Sequence, residues 1–353
     1  MGNRYFICSR LRPAVEFDIA NERPVDDAEF PYFIRGFQIL ERRYGLDGYI
    51  VCFAWSARVR LPRLGPDVIA VIYGDEFCRI PSYVNSVAAV IKPYGMFPNF
   101  VPRRRPLRLA QIEAAEFLRN LALWLPTGWR WALSWRTRAR CHLVPIGYGF
   151  TTTVEPLPFE QRPYITSFQG SVARPGNRLR RLIGTPKSYC RGVLVGVLQD
   201  LQRQYGRDAL PIRLSAGFQE SIQDAGRVYF DVLARTKLCV VPRGTTHETW
   251  RIADAMRYGC IVIADRLPRH HFYRDSPIIE IDDWRDLPAL LEGLLANEPR
   301  LRDLHERSLR HWHEVLCEQA LAARCAAALG LAIQNSPDLS EPESEWMTSL
   351  QRR

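Results

Sequence analysis

Apolar residues fall along this chain in short unbroken runs, separated by stretches in which they recur every three or four positions. The runs Tyr5–Cys8, Tyr49–Phe53, Val68–Tyr73 and Val87–Ile91 predict strands. Phe30 to Tyr44 has helical spacing and stops at Gly45. Continuous apolar strands alternating with helices predict parallel sheet buried on both faces. A second alternation follows the proline-rich stretch 143–163, which reads as a linker. Tyr164–Ser171 and Ile212–Ser215 predict strands, and Tyr189–Tyr205 and Val228–Thr236 predict helices. The organisation expected is an N-terminal Rossmann-like unit over 1–155, a C-terminal one over 156–334, and a polar tail over 335–353.

The sharpest segment is Lys237 to Asp265. Lys237–Pro242 predicts a strand, Arg243–Glu248 a polar turn, and Cys260–Asp265 a second strand. Thr245 and Glu248 have capping-box spacing, so a helix is expected from about Thr246 to Tyr258, ended by Gly259. In an open parallel sheet ligands bind beyond the carboxyl ends of the strands, which puts Gly244–Thr249 and Asp265–Pro268 on the binding side. His247, Arg251 and Asp254 would share one helix face. Unpaired amides at the helix start and the Arg251 fork suit a diphosphate, and Asp254 can accept two ribose hydroxyls. The candidate ligand-binding set is therefore Arg243, Gly244, Thr245, Thr246, His247, Thr249, Arg251 and Asp254. An ordinary amphipathic helix carrying a solvated Arg251–Asp254 pair accounts for the same spacing.

Lys237–Gly244, Thr249–Ala255 and Tyr258–Pro268 together resemble the exostosin-type glycosyltransferase signature: a strand ending Pro-Arg-Gly, an arginine-bearing helix start, then Gly-Cys-Ile and a strand ending in Asp. The likeness covers about 50 residues and extends faintly to Ser167–Ser171 and Val144–Tyr148. It implies the GT-B fold, α/β with two Rossmann-like domains facing each other across a cleft. It also implies transfer from a nucleoside diphosphate sugar with no metal needed. The reading adopted is a UDP-sugar donor, a glycan or lipid-linked acceptor and inversion, although the residues themselves do not separate inverting from retaining transfer. On this likeness Arg251 falls on the diphosphate arginine, Asp254 on the ribose-holding acid and Gly244 on the turn glycine. The chain departs from the family in having Asp254 for Glu, Val262 for Pro, and Trp250-Arg251 for paired arginines.

Transfer of this kind needs a base for the acceptor hydroxyl. Asp75 and Glu76 follow the strand Val68–Tyr73 and are the candidate catalytic carboxylates, with Arg251 offsetting leaving-group charge. A plain acidic turn is the alternative for the pair. Asp18, Glu22, Asp26 and Asp27 form another acidic group, and His270-His271 lies past the second strand.

Charge adds one more candidate. The net charge is +10, and only three of the 48 basic residues are lysine. From Val101 to Glu155 nine arginines stand against three glutamates, interleaved with Trp124, Trp129, Trp131 and Trp135. An anionic membrane surface contacting 103–140, a tryptophan-rich core with snorkelling arginines, and the weaker option of RNA stacking all fit; nucleic acid is not the expected partner. The nine scattered cysteines, with no C-x-x-C pair, read as reduced buried thiols. No apolar run approaches the roughly 20 residues of a membrane span, so a cytoplasmic enzyme, or one peripheral at an inner membrane face, is expected. Nucleotide-loop, zincin and nucleophile-elbow motifs are absent. A fucosyltransferase-like enzyme with a GDP-sugar and a catalytically inactive scaffold or glycan-binding relative remain as alternatives.

Overall fold

The computed structural model describes residues 2–20, 30–101, 106–149, 154–172, 184–215 and 222–333. Arg103–Arg105, Glu22, Asp26, Asp27, the basic stretch 176–181 and the tail 335–353 lie outside these residues.

Two sheets form, as the apolar runs predict. The first has six strands in the order β2-β1-β3-β4-β5-β6. They are β1 Arg4–Cys8, β2 Val15–Phe17, β3 Ile50–Ala54, β4 Gly65–Ile72, β5 Val87–Lys92 and β6 Cys141–Leu143. All neighbours are parallel except β1 and β2. The second holds β7 Tyr164–Ser171, β8 Ile212–Ser215, β9 Thr236–Val241, β10 Ile261–Asp265 and β11 Ile279–Ile281. Its order is β11-β10-β9-β7-β8, all parallel. The chain leaves β7 for β8 on one side and returns to β9 on the other. The order therefore reverses at β7/β9, and a crevice opens beyond their carboxyl ends. Two parallel α/β units facing across a cleft make a GT-B-like fold.

Among the helices used here, α1 is Phe30–Tyr44, α2 Leu107–Leu133, α3 Trp135–Ala139, α4 Pro186–Tyr205, α5 Ile222–Ala234, α6 Arg251–Arg257, α7 Leu287–Leu295, α8 Glu298–His311 and α9 Glu318–Leu329. Helix α1 is followed by Gly45 with φ 64° and α6 by Gly259 with φ 64°, the left-handed turns that those glycines allow. Helix α9 returns to pack on α1. A Cβ at Gly36 would come within 2.5 Å of Leu321, so that approach needs glycine.

One apolar cluster runs from Phe53 and Val71 under the first sheet through Tyr148 to Ala255 and Val262 under the second. The proline-rich connection is thus packed rather than loose where described. Val144, Ile146 and Tyr148 are buried, and the Tyr148 hydroxyl donates to Glu318 Oε1 at 2.8 Å. All nine cysteines are free thiols; Cys141 is half-buried and the rest are buried.

The tryptophan-rich stretch is divided. Trp124 is buried and donates from its indole nitrogen to Met96 O at 2.8 Å. Trp129 and Trp135 stand in solvent.

Candidate active site

The loop after β9 differs locally from its expected form. Helix α6 begins at Arg251 rather than Thr246, with Trp250 at the N-cap position and no side-chain capping hydrogen bond from it. Glu248 is drawn inward instead of capping: it is buried beside Tyr273, with His270 Nε2 at 3.5 Å, while His271 is exposed. Thr246 spends its hydroxyl on Glu248 O at 2.7 Å. Such short side-chain bonds compete with helix formation. His247 therefore lies outside the helix, and Arg251 and Asp254 keep their one-turn relation without it.

Arg251 points to the reversal point of the second sheet. Its guanidinium lies over Phe168 and Trp250, and a Cβ on Gly170 would sit 3.1 Å from Nη2. Nε and Nη1 are buried and unbonded among the described residues, with the Tyr229 hydroxyl beside the guanidinium. Two further cations reach the same place from α4. Thr185 and Ser188 form a capping box with Pro186 in the first turn, which fixes the start of α4 beside the end of β7. Lys187 and Arg191 sit on its first two turns. Arg191 bridges the two strand ends, donating from Nη1 to Ser171 O at 2.8 Å and from Nε to Arg243 O at 3.3 Å. Burial and the neighbouring Arg251 push Arg191 down to about 9. Burial, Arg191 and Arg251 also lower Lys187, whereas Glu76 opposes that shift. Three cations thus repel one another at the crevice, a condition that a bound polyanion relieves.

Asp254 has no exposed surface. Its Oδ1 accepts from the Gly149 amide at 3.2 Å, and Arg251, Arg257 and Tyr229 stand near it. Burial dominates and holds its carboxyl up at about 7. Gly149 is fixed from the other side by Trp250, whose ring lies 2.5 Å from where a Cβ would be.

Arg243 is buried and engaged with the facing unit. Nη1 donates to Glu113 Oε1 at 2.8 Å and Nη2 to Glu116 Oε2 at 2.6 Å, both on α2. His247 Nε2 is 3.2 Å from Arg243 Nη1. The Arg243 amide donates to Asp265 Oδ2 at 2.8 Å, so the end of β10 sets the path of this loop. Gly244 and Thr249 adjoin, with the Thr249 methyl 3.4 Å from a Cβ at Gly244.

The acidic pair from the first sheet divides its labour. Asp75 is buried and accepts from the amides of Ala57 at 2.9 Å and Phe77 at 3.1 Å, which fixes the loop after β4. Glu76 faces the cleft and takes a hydrogen bond from Thr245 of the opposite unit. Burial raises its proton affinity above the ordinary glutamate range, with Thr245 and Lys187 acting in the other direction. Beside it Cys78 (φ 55°) and Tyr94 (φ 64°) hold left-handed backbone without being glycine, tied by the bond from Cys78 Sγ to Tyr94 O at 2.8 Å. Strain of this kind, of order 1–3 kcal/mol each, persists only where surroundings over-determine it. A small cavity of about 20 Å³ opens here between the units, lined by Glu76, Asn99, Phe100, Glu116, Asn120 and Thr245, among others.

The structure thus brings Glu76, Thr245, Arg251 and the unforeseen Lys187 and Arg191 to one cleft. It assigns Asp75 to a loop, Arg243 and His247 to a cross-cleft ion cluster, and Asp254 to the Gly149 amide. The α4 pair had a sequence signal in Thr185-Pro186, which starts the helix three residues before the expected Tyr189. The Glu113/Glu116 contact with Arg243 had none beyond an acidic i, i+3 pair inside an arginine-rich stretch.

No protein-family profile matches the chain. It is similar to ribitol-5-phosphate xylosyltransferase 1 of zebrafish (Danio rerio), 24% identical over 174 residues, 45% of this chain and 36% of that protein. The mouse (Mus musculus) protein of the same name is 25% identical over 174 residues, 44% of this chain and 35% of that one. The chain therefore spans little more than a third of the length of these relatives. Among solved structures TarM aligns with a TM-score of 0.42 at 11% identity, over 87% of this chain and 58% of that one.

Proposed function

We propose that the protein transfers a sugar from a nucleoside diphosphate sugar to a hydroxyl of a glycan or lipid-linked acceptor. The observation that carries this reading is the group Lys187, Arg191 and Arg251, gathered at the β7/β9 reversal point and facing Glu76. In this reading the diphosphate lies against Arg251 and Lys187, while Arg191 holds the two strand ends at their spacing. The loop Gly244–Thr249 closes over the donor. Asp254 positions Arg251 and Gly149; a ribose reaches its carboxylate only if Gly149 moves aside.

Glu76 takes the acceptor hydroxyl proton as that oxygen attacks the anomeric carbon. The bond from that carbon to phosphate oxygen breaks, and the nucleoside diphosphate leaves with the electron pair. Developing charge on the phosphate is met by Arg251 and Lys187, which act without reorganisation because the fold already holds them. A single base on the face opposite the leaving group gives inversion. The cations supply the charge that a metal ion otherwise would.

The exostosin-type pattern over 237–268 and the similarity to two xylosyltransferases support a transferase of this class. UDP-sugars head the donor panel, with UDP-xylose among them because the relatives bear that activity in their names. Hydrolysis of a panel of UDP-, GDP- and dTDP-sugars tests the reading. Release of sugar from one nucleotide series supports it; no turnover of any donor, with no nucleotide-induced thermal shift, would favour a non-catalytic relative.

A further inference from the structure

Helix α2 turns two unlike faces outward and inward. Inward, Leu109, Ile112, Glu113, Trp124 and Gly128 are buried. Outward, Leu107, Gln111, Ala115, Leu118, Ala122, Leu125, Trp129 and Leu133 form an exposed stripe, flanked by exposed Arg108, Pro126, Arg130 and Ala132. A water-facing helix surface is ordinarily charged; this one carries a single polar side chain, Gln111, along that stripe. Leu118 is 62% exposed and Leu133 79%. The helix has 27 residues, so the stripe is about 40 Å long at 1.5 Å per residue.

One edge of the stripe is basic. Arg108, Arg119 and Arg130 stand eleven residues apart, a spacing that returns to the same side of a helix after three turns. Helix α3 continues the surface with exposed Trp135, Arg136 and Arg138. Arg130 lies 5.3 Å from the Trp129 ring centroid and Arg136 5.7 Å from that of Trp135. From 107 to 140 the acidic residues are Glu113 and Glu116, and both are engaged with Arg243 on the opposite face. Glu116 also pairs with the half-buried Arg119 at 3.4 Å, so the surface presents apolar side chains, two tryptophans and the exposed arginines Arg108, Arg130, Arg136 and Arg138 together.

We infer that α2 and α3 form a docking surface for an anionic lipid bilayer, the helix lying in the plane of the interface. Leucines and tryptophans enter the headgroup boundary, and the arginine edge meets lipid phosphate. A second copy of the chain is a poor occupant, because its stripe brings more arginine and no exposed acidic side chain to neutralise this edge. The arrangement also orients the enzyme. The same helix that meets lipid carries Glu113 and Glu116 from its inward face into the cleft wall, so docking holds that wall at a fixed distance from the membrane. The docking itself does not depend on glycosyl transfer.

The test is co-sedimentation of the full chain with vesicles of phosphatidylcholine, alone or with 30 mol% phosphatidylglycerol, for wild type and for Leu118→Glu/Leu125→Glu. Both substituted positions are solvent-facing, and an unchanged melting temperature verifies the fold of the variant. The expected result is at least tenfold more binding to the anionic vesicles. The double substitution should abolish that binding, and Arg108→Gln/Arg130→Gln should lower it several-fold with a weaker salt dependence. Equal retention of wild type and the leucine variant, or no wild-type binding to either vesicle, overturns the inference. So does a concentration-dependent dimer that the leucine variant abolishes, since a second copy then covers the stripe.

Discussion

Arg243 and Glu116 stand 127 residues apart in sequence and 2.6 Å apart in space, joined across the cleft inside a buried cluster that Glu113 completes. Burying such a pair gains little net stability, but removing one side leaves uncompensated charge. Arg243→Met is expected to destabilise the fold by about 3–5 kcal/mol in urea denaturation. Adding Glu113→Gln and Glu116→Gln to that variant should recover most of the loss. An Arg243→Met protein as stable as wild type would show that the cluster is solvated in solution.

Arg243 has both terminal nitrogens on glutamates, whereas the Arg251 guanidinium lies over Phe168 and Trp250. Arg251→Ala is expected to lower kcat/KM for the donor by about 2–4 kcal/mol, the range of a lost charge-assisted contact on developing charge. The melting temperature should change little. Unchanged turnover would remove Arg251 from the site.

Glu76 is the base in the proposed reaction. Its raised proton affinity places the acid limb of the kcat/KM profile above the ordinary glutamate range. Glu76→Gln should lower kcat by about 10²- to 10⁴-fold and remove that limb, while nucleotide affinity holds within a few-fold. A variant that keeps the limb would assign it to another group.

Asp254 makes a pH signature in stability. The unfolded chain releases this proton near pH 4, whereas the fold keeps it to about 7. Between these values the folded state binds more protons, so this residue's contribution to stability is full below pH 4 and is lost as pH rises through about 7. The loss is of order 4 kcal/mol for a shift of this size. Asp254→Asn can still accept the Gly149 amide bond, and it should flatten the melting temperature between pH 4 and 7. A wild-type profile already flat over that range would contradict the buried neutral carboxyl.

The sheets were legible in the sequence because each central strand is a short apolar run bounded by turn residues. Tyr164–Ser171 and Ile212–Ser215 match β7 and β8 at both ends. Helix ends that rest on backbone conformation, at Gly45 and Gly259, were legible for the same reason. What was not legible depends on partners distant in sequence. Glu248 had the right spacing for a cap, and only the burial of Glu248 beside Tyr273 explains why it does not serve as one. Glu113 and Glu116 looked like minor offsets in a basic stretch until the fold set them against Arg243. The exposed tryptophans and the buried Trp124 could not be separated before the face of α2 that meets the protein was known.

Calorimetric titration of UDP, UMP and uridine at pH 8–9, with GDP and dTDP alongside, bears most directly on the central claim that the Lys187–Arg191–Arg251 group binds a diphosphate. A nucleoside diphosphate should bind at least tenfold more tightly than its monophosphate, and the nucleoside more weakly still. Binding should take up protons near pH 9, because an anion raises the lowered affinities of Lys187 and Arg191. Equal binding of uridine and UDP, or no heat from any diphosphate, would contradict the account.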